Sequence, residues 1–93
     1  IDFEEPKGRA MILNLGSATK KAFIYLVDDA TTFKEVAIQY DMGNGPVKEV
    51  DQAFPWEFTL PLAPSVTEVS FKLSGVKKNG EVQASKTHRL KKQ

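Results

Sequence analysis

The sequence predicts an all-β protein, an antiparallel β-sandwich of about seven strands. Apolar and polar residues alternate through most of the chain, as they do in strands with one buried and one solvated face. Residues that favour turns recur about every ten residues, which is the spacing of short strands in a sandwich. No apolar pattern of helical spacing is long enough to predict a helix.

The composition is that of an ordinary folded domain. Of the 93 residues, 41% are hydrophobic and 27% are charged, with a formal net charge of +1. This balance argues against disorder, and it lacks the basic excess expected of a nucleic-acid-binding protein. The chain has no cysteine, which excludes disulfides and thiolate metal ligands. We divide it into a lead-in arm, residues 1–9, and a single β-sandwich domain, residues 10–93.

Seven strands are predicted after the arm, in which Ile1 and Phe3 are the expected anchors. In chain order they comprise residues 10–15, 21–27, 34–42, 47–50, 56–60, 68–74 and 81–90. The second strand is apolar on both faces, which suits a central strand covered on both sides or an amphipathic helix. Its aromatic and β-branched residues favour the strand.

Glycine, asparagine and proline mark the turns between these strands. The glycines of residues 43–46 suit a tight turn with positive φ, and Asn79-Gly80 is a hairpin signal. Charged side chains in residues 47–50 predict a sheet edge. Pro61 and Pro64 are predicted to bracket the loop that ends the fifth strand.

Residues suited to catalysis or metal binding are few. His88 is the only histidine, whereas a catalytic triad also needs a nucleophile and an orienting group, so we predict a structural role. Asp28 and Asp29 lie in a loop without the spaced oxygen ligands of a calcium site, which favours a solvated loop or the cap of a short helical turn. We therefore expect no enzyme activity, no cofactor and no metal site.

Three aromatic residues beside predicted loops are the candidates for contact with a ligand or partner: Trp56, Phe54 and Phe33. Trp56 follows Pro55 at a strand end, where core packing is favoured and partial exposure is the alternative. Phe33 and Phe54 are expected to contribute to an exposed patch. Exposed aromatic faces can stack against sugars, which keeps a carbohydrate-binding role open.

The stretch around Pro55-Trp56 resembles a known family. An alternating strand at residues 36–40, the turn Asn44-Gly45, Pro55-Trp56 and a further alternating strand at residues 69–73 are similar to the MmpS type. These are small exported accessory proteins of mycobacterial membrane transporters, with many uncharacterised secreted relatives in bacteria. The mycobacterial members carry two cysteines in their last strands and an N-terminal membrane helix, and this chain has neither. The resemblance implies an extracytoplasmic immunoglobulin-like sandwich.

The function expected from these observations is a non-enzymatic structural or accessory interaction module of the cell envelope. Its expected partner is another envelope protein, which could add a strand to a sheet edge such as residues 47–50. The alternative is a small carbohydrate- or ligand-binding module that uses exposed aromatic residues.

The expected location is extracytoplasmic, in the periplasm or at the cell surface, with a lipid anchor on the full-length gene product as one option. The chain starts at Ile1 rather than methionine, which suits removal of an export signal and equally suits a trimmed fragment. No apolar run is long enough to cross a bilayer. Basic pairs such as Lys91-Lys92 predict at most weak contact with an anionic membrane surface.

Overall fold

The computed structural model describes residues 1–16, 20–27 and 31–92. Its strands are β1 (Asp2–Phe3), β2 (Gly8–Asn14), β3 (Lys20–Leu26), β4 (Phe33–Asp41), β5 (Pro46–Asp51), β6 (Glu57–Leu62), β7 (Glu68–Lys77), β8 (Val82–Ala84) and β9 (His88–Lys91). The described residues contain no helix with the length and apolar character needed to cross a membrane. The helical turn expected at Asp28 or Asp29 lies outside these residues.

The strands form two antiparallel sheets that pack face to face, which confirms the predicted β-sandwich. The first sheet has the order β1-β2-β3-β6. The second has the order β5-β4-β7, and β8 and β9 pair one after the other with the far side of β7. The described residues form nine strands rather than about seven, because the arm contributes β1 and the last predicted strand is divided into β8 and β9.

The inner faces of both sheets form one hydrophobic core. In β6, Phe58, Leu60 and Leu62 are buried while Glu57 and Thr59 are exposed, as the alternation predicts. Burying one such large apolar side chain stabilises the fold by about 1.5–3 kcal/mol. The most deeply buried large side chains come from both sheets: Phe71, Ile24, Ile38, Leu60, Leu73, Val36 and Val69.

β3 is a central strand, but only one of its faces is covered. Ala22, Ile24 and Leu26 are buried in the core, whereas Phe23 and Tyr25 on the outer face are half-buried. The expected cover on both faces is therefore wrong for the described residues. The apolar outer face belongs to a surface that β3 shares with β2.

The arm is tied to the first sheet through β1. Asp2 lies opposite Arg9 and Phe3 opposite Gly8. The Arg9 Nε donates to the Asp2 Oδ1 over 2.6 Å. Phe3 is buried, and its ring lies where a Cβ on Gly8 would be, so a residue without a side chain is needed there. Phe3 thus anchors the arm to the domain.

β6 continues to Leu62, so the prediction that Pro61 ends this strand is wrong. Among the described strands β6 pairs only with β3, so it is the edge of the first sheet. The N–H of Leu26 donates to the Trp56 carbonyl over 3.0 Å, and the alternation that follows turns the backbone groups of Pro61 away from β3. A proline is tolerated at this position because no ladder hydrogen bond is lost.

The predicted strand at residues 81–90 is interrupted at Ser85. Ala84 lies opposite Ser74 and His88 opposite Phe71, so β8–β9 has one more residue than the facing part of β7. The Ser85 hydroxyl accepts the N–H of Leu73 over 2.9 Å and donates to the Lys86 carbonyl over 2.8 Å. A one-residue insertion exchanges the two faces of a strand. His88 therefore faces inward, and it does not share a face with Val82, which is 65% exposed.

β5 is the edge of the second sheet, as its charges predict. Of the strands that the structure describes, it pairs only with β4, to which it is joined by the turn predicted at residues 43–46. Gly43 and Gly45 have φ values of 107° and 98°, which other residues rarely adopt. Their N–H groups donate to the Asp41 carboxylate over 2.7 and 3.3 Å.

Candidate functional site

The three aromatic residues predicted as contacts do not share a surface. Phe54 is 48% exposed, whereas Trp56 and Phe33 are each 3% exposed. The prediction that Phe33 contributes to an exposed patch is wrong, because its ring occupies the space beside Gly75 where a Cβ would otherwise lie. Phe54 alone of the three remains available to a partner.

Trp56 is a core residue in this fold. It lies just before β6, and its ring meets the ring of Phe54 edge-on, with centroids 6.4 Å apart and an angle of 86° between the planes. Its Nε1 is buried and has no hydrogen-bond partner among the described residues. An unpaired buried donor costs about 1–3 kcal/mol, which the apolar area of the indole must offset.

The loop that carries Phe54 is held in place by Asp51. The Asp51 carboxylate accepts the N–H of Ala53 over 3.2 Å and that of Glu57 over 3.3 Å. The Gln52 Nε2 donates to the Glu35 Oε1 over 3.0 Å. Phe54 is therefore an exposed ring on a hydrogen-bonded loop at one end of the sandwich, without a second exposed aromatic side chain from the predicted set beside it.

His88 packs against the aromatic part of the core. Its ring centroid lies 4.7 Å from that of Phe3 and 5.5 Å from that of Phe71. Burial, together with the positive charge of Lys86, lowers the pKa of the His88 imidazole below its ordinary value. Its Nε2 is buried and unpaired among the described residues. This environment favours the neutral ring, and its contacts are those of a packing residue.

The carboxylates of the described residues are dispersed. No three histidine, aspartate or glutamate side chains among them lie close enough to hold a metal ion. Tyr40 donates its hydroxyl to the Glu49 Oε2 over 2.9 Å, and burial together with this carboxylate raises the pKa of Tyr40. Asp2 has a lowered pKa because it accepts a hydrogen bond from Arg9. These pairs hold neighbouring strands together at the surface.

A groove lies on the side of the sandwich where β2 and β9 face each other. We call it the open flank and define it by six residues: Met11, Ile12 and Asn14 of β2, and Arg89, Leu90 and Lys91 of β9. Its volume is about 940 Å³. Two strand edges border it, and neither is covered by a further described strand along these residues.

The rim of the open flank carries more positive than negative charge. Lys20, Arg89 and Lys91 contribute positive charges, and Glu68 is the acidic residue in the lining. The Arg89 Nε lies 3.8 Å from the Glu68 Oε1, and the Arg89 side chain is 76% exposed. Ile12 and Leu90 form the apolar floor. The flank therefore combines apolar side chains with a basic rim.

A second apolar surface, the outer patch, covers the solvent face of the first sheet and consists of Met11, Leu13, Phe23 and Tyr25. Met11 lies directly opposite Phe23 in the β2–β3 ladder. The rings of Phe23 and Tyr25 are 5.5 Å apart and tilted by 37°. All four side chains are half-buried, so they lie against one another and leave part of each surface free.

The open flank was not recognised from the sequence, although one signal for it was present. Residues 10–15 form the only predicted strand that contains neither a charged residue nor a proline. Such residues normally protect free strand edges. Their absence from residues 10–15 does not by itself reveal a free edge, because it is the structure that shows β1 pairing with only Gly8 and Arg9 of β2.

Comparison with known proteins shows a likeness of fold. No protein-family model matches the chain, and no curated protein matches it. A polysaccharide deacetylase from Bacillus cereus has a similar solved structure, with a TM-score of 0.60 and 15% sequence identity. The match covers 90% of this chain and 29% of that one, so this chain spans less than a third of that protein's length. At this identity the likeness shows the β-sandwich fold alone.

Proposed function

We propose that this chain is a non-enzymatic, extracytoplasmic β-sandwich that binds another protein of the cell envelope through the open flank. The observation that carries the proposal is the groove of about 940 Å³ between β2 and β9, with apolar residues in its floor and basic residues at its rim. The resemblance of residues 36–40 and Pro55-Trp56 to MmpS-type accessory proteins supports an envelope location. The buried Trp56 also favours a protein partner over a sugar.

The apolar residues around this flank support the same proposal. Leu15 directly follows β2 and is 57% exposed, and Ile12 packs partly against the core from the groove side. Surfaces that combine exposed apolar groups with a polar rim are typical of protein interfaces.

Photo-cross-linking tests this function. A photoreactive amino acid replaces Asn14 in the flank of the exported protein, and a matched variant carries it at exposed Lys72 on the opposite sheet. We expect position 14 to form one discrete adduct with an envelope protein and position 72 to form none. Equal adducts at both positions, or none at position 14, would contradict the proposal.

The outer patch supports a second candidate function, carbohydrate binding. Aromatic rings on a sheet face can stack against sugars, and Phe23 and Tyr25 lie side by side there. Their tilt of 37° prevents them from forming one flat platform, which makes this the weaker candidate. Calorimetry with oligomers of N-acetylglucosamine tests it. Binding that Tyr25→Ala abolishes, and that Phe54→Ala leaves intact, would replace a protein partner with a glycan.

The absence of catalysis is part of the proposal. The activity in the name of the Bacillus cereus protein belongs to that protein, of which this chain spans 29%. His88, the only histidine, packs between aromatic rings rather than beside a nucleophile. A hydrolase screen in which turnover appears with the natural chain and disappears with His88→Ala would show an enzyme instead.

A further inference from the structure

We infer that the free edge of β2, at Ile12 and Asn14, binds an extended acidic segment of the partner protein as an added β-strand. The inference rests on the proposed protein-binding function and specifies its site and the chemistry of its ligand. Strand addition uses main-chain hydrogen bonds for affinity and alternate side chains for specificity.

The backbone of β2 shows which groups are free. The N–H of Ala10 donates to the Ile1 carbonyl over 2.8 Å, so the backbone groups of Ala10 point away from β3. Antiparallel ladders alternate, which directs the N–H and C=O of Ile12 and Asn14 to the same side. β1 pairs with only Gly8 and Arg9, and no described strand continues it beside Ile12 and Asn14. Two donors and two acceptors thus face the groove.

The two edges on the opposite side of the sandwich are protected against strand addition. β5 contains Pro46 and the charged Lys48 and Glu49. In β6, the outward N–H of Glu57 is already bonded to the Asp51 carboxylate over 3.3 Å, and Pro61 has no N–H to offer. Prolines, charges and occupied donors are the usual means by which proteins prevent edge pairing. The predicted strand addition at residues 47–50 is therefore less favourable than addition at β2.

The edge formed by β8 and β9 is protected in a different way. Its ladder is interrupted at Ser85, whose side chain takes the place of a regular backbone acceptor. Arg89 and Lys91 add charges to the short strand that follows. A bulge changes the direction of an edge and shortens the stretch open to pairing. β2 has no comparable interruption or charge from Ala10 to Leu15, so it is the edge most open to a partner strand.

The charges of the rim indicate the chemistry of the partner strand. Three basic residues and one acidic residue line the groove, and the acidic one, Glu68, lies 3.8 Å from Arg89. An acidic strand would be attracted to this rim, and complementary charges also speed its association. Two copies of this chain paired edge to edge would place both basic rims close together. The open flank therefore favours a different protein with acidic residues over a second copy.

The pattern of side chains follows from the pleat. Alternate residues of an added strand would face inward, toward Ile12 and Leu90, and the others would lie beside Met11 and Leu13 of the outer patch. A segment with apolar residues at every second position can face Ile12 and Leu90, and glutamates between them give the segment the negative charge that the basic rim attracts. An acetylated and amidated peptide with four Glu-Val repeats is therefore a suitable probe.

Peptide binding to two matched proline variants tests the inference. Asn14→Pro removes an outward N–H from β2, and Thr59→Pro makes the same change on the protected edge of β6, so neither variant breaks a ladder bond. We expect Asn14→Pro to weaken binding of the fluorescently labelled peptide at least about tenfold, equivalent to about 1.4 kcal/mol. Binding by Thr59→Pro should match the natural chain. Equal losses in both variants would overturn the inference.

Amide hydrogen exchange on the natural chain provides a test that does not depend on the variants. The amides of Met11 and Leu13 bond to β3 and should be protected in the free protein. Those of Ile12 and Asn14 should exchange fast and become protected only when the Glu-Val peptide is bound. Unchanged exchange at these two residues with saturating peptide would overturn strand addition.

Four further outcomes separate the alternatives. Equal binding of a peptide with lysine in place of glutamate would overturn the acidic preference. A dimer in light scattering that Asn14→Pro dissociates would show that a second copy of this chain occupies the edge. That result would overturn the inference of an acidic partner strand. If position 14 cross-links a partner but the peptide does not protect Ile12 and Asn14, strand addition is wrong and the protein-binding function stands. If neither occurs, both fail.

Discussion

Replacing Ser85 with alanine should destabilise the fold through a single backbone group. The Ser85 hydroxyl accepts the N–H of Leu73 over 2.9 Å, and Leu73 is 1% exposed. Alanine removes this acceptor at a point where the bulge prevents the regular ladder from supplying another. A buried donor left unpaired costs about 1–3 kcal/mol. For a domain of this size, each kcal/mol lowers the Tm by about 4–8 °C.

Thermal and urea unfolding of the natural chain and of Ser85→Ala measure this difference. Ser65→Ala is the matched control, because Ser65 is exposed in a loop and its loss should change the free energy of unfolding by less than about 0.5 kcal/mol. Ser85→Thr, which keeps the hydroxyl, should restore most of the stability. Equal stability of Ser85→Ala and the natural chain would refute the assigned role of the hydroxyl in the bulge.

Three further predictions concern the core. Leu60→Ala should lower the free energy of unfolding by about 2–5 kcal/mol in urea, because Leu60 is 0% exposed, whereas Thr59→Ala beside it should have little effect. Gly75→Ala should lower the free energy of unfolding by about 1–3 kcal/mol, since a Cβ there overlaps the Phe33 ring. A smaller residue at position 33 in the double variant should reduce this loss. If the losses of the two single variants simply add in the double variant, the clash is not its cause. His88 has an ordinary pKa of 6.5 that burial lowers in the fold, so stability should be full above about pH 6.5 and fall as the pH drops toward the folded-state pKa. Urea unfolding at about pH 7.5 and about pH 5 should show that His88→Phe loses less stability on acidification than the natural chain, and equal losses would contradict this account.

Local patterns predicted the strands well where one face is buried and the other is wet. Trp56, Phe58 and Leu60 face the core as their spacing indicates, and β5 lies at an edge as its charges indicate. Period-two alternation follows directly from the pleat, so it can be read without knowing the neighbouring strands. The same pattern could not show how the final strand pairs. The insertion at Ser85 depends on the register with β7, which residues 81–90 do not encode locally.

The candidate site was less predictable than the fold. Phe33 and Phe54 both lie beside loops, yet one is buried and the other is exposed, because only Phe33 has a glycine on the facing strand to receive its ring. As single side chains, Ile12 and Asn14 carry no chemistry that marks a binding site. Their importance comes from backbone groups that no described strand pairs with, and a sequence cannot distinguish these groups because nearly every residue carries the same ones.

The sequence by itself determined an all-β protein, the spacing of its strands and turns, and most of the core side chains of β4, β6 and β7. Residues 10–15 also lack charged residues and proline, but strand alternation alone does not show whether such a strand is paired on both sides or has a free edge. Only the tertiary structure decided that β1 pairs with no more than Gly8 and Arg9 of β2, which leaves Ile12 and Asn14 as a free edge beside β9, and that the ring of Phe33 turns inward. Burial along a strand is a local pattern, whereas a free edge is defined by the strands that do not pair with it.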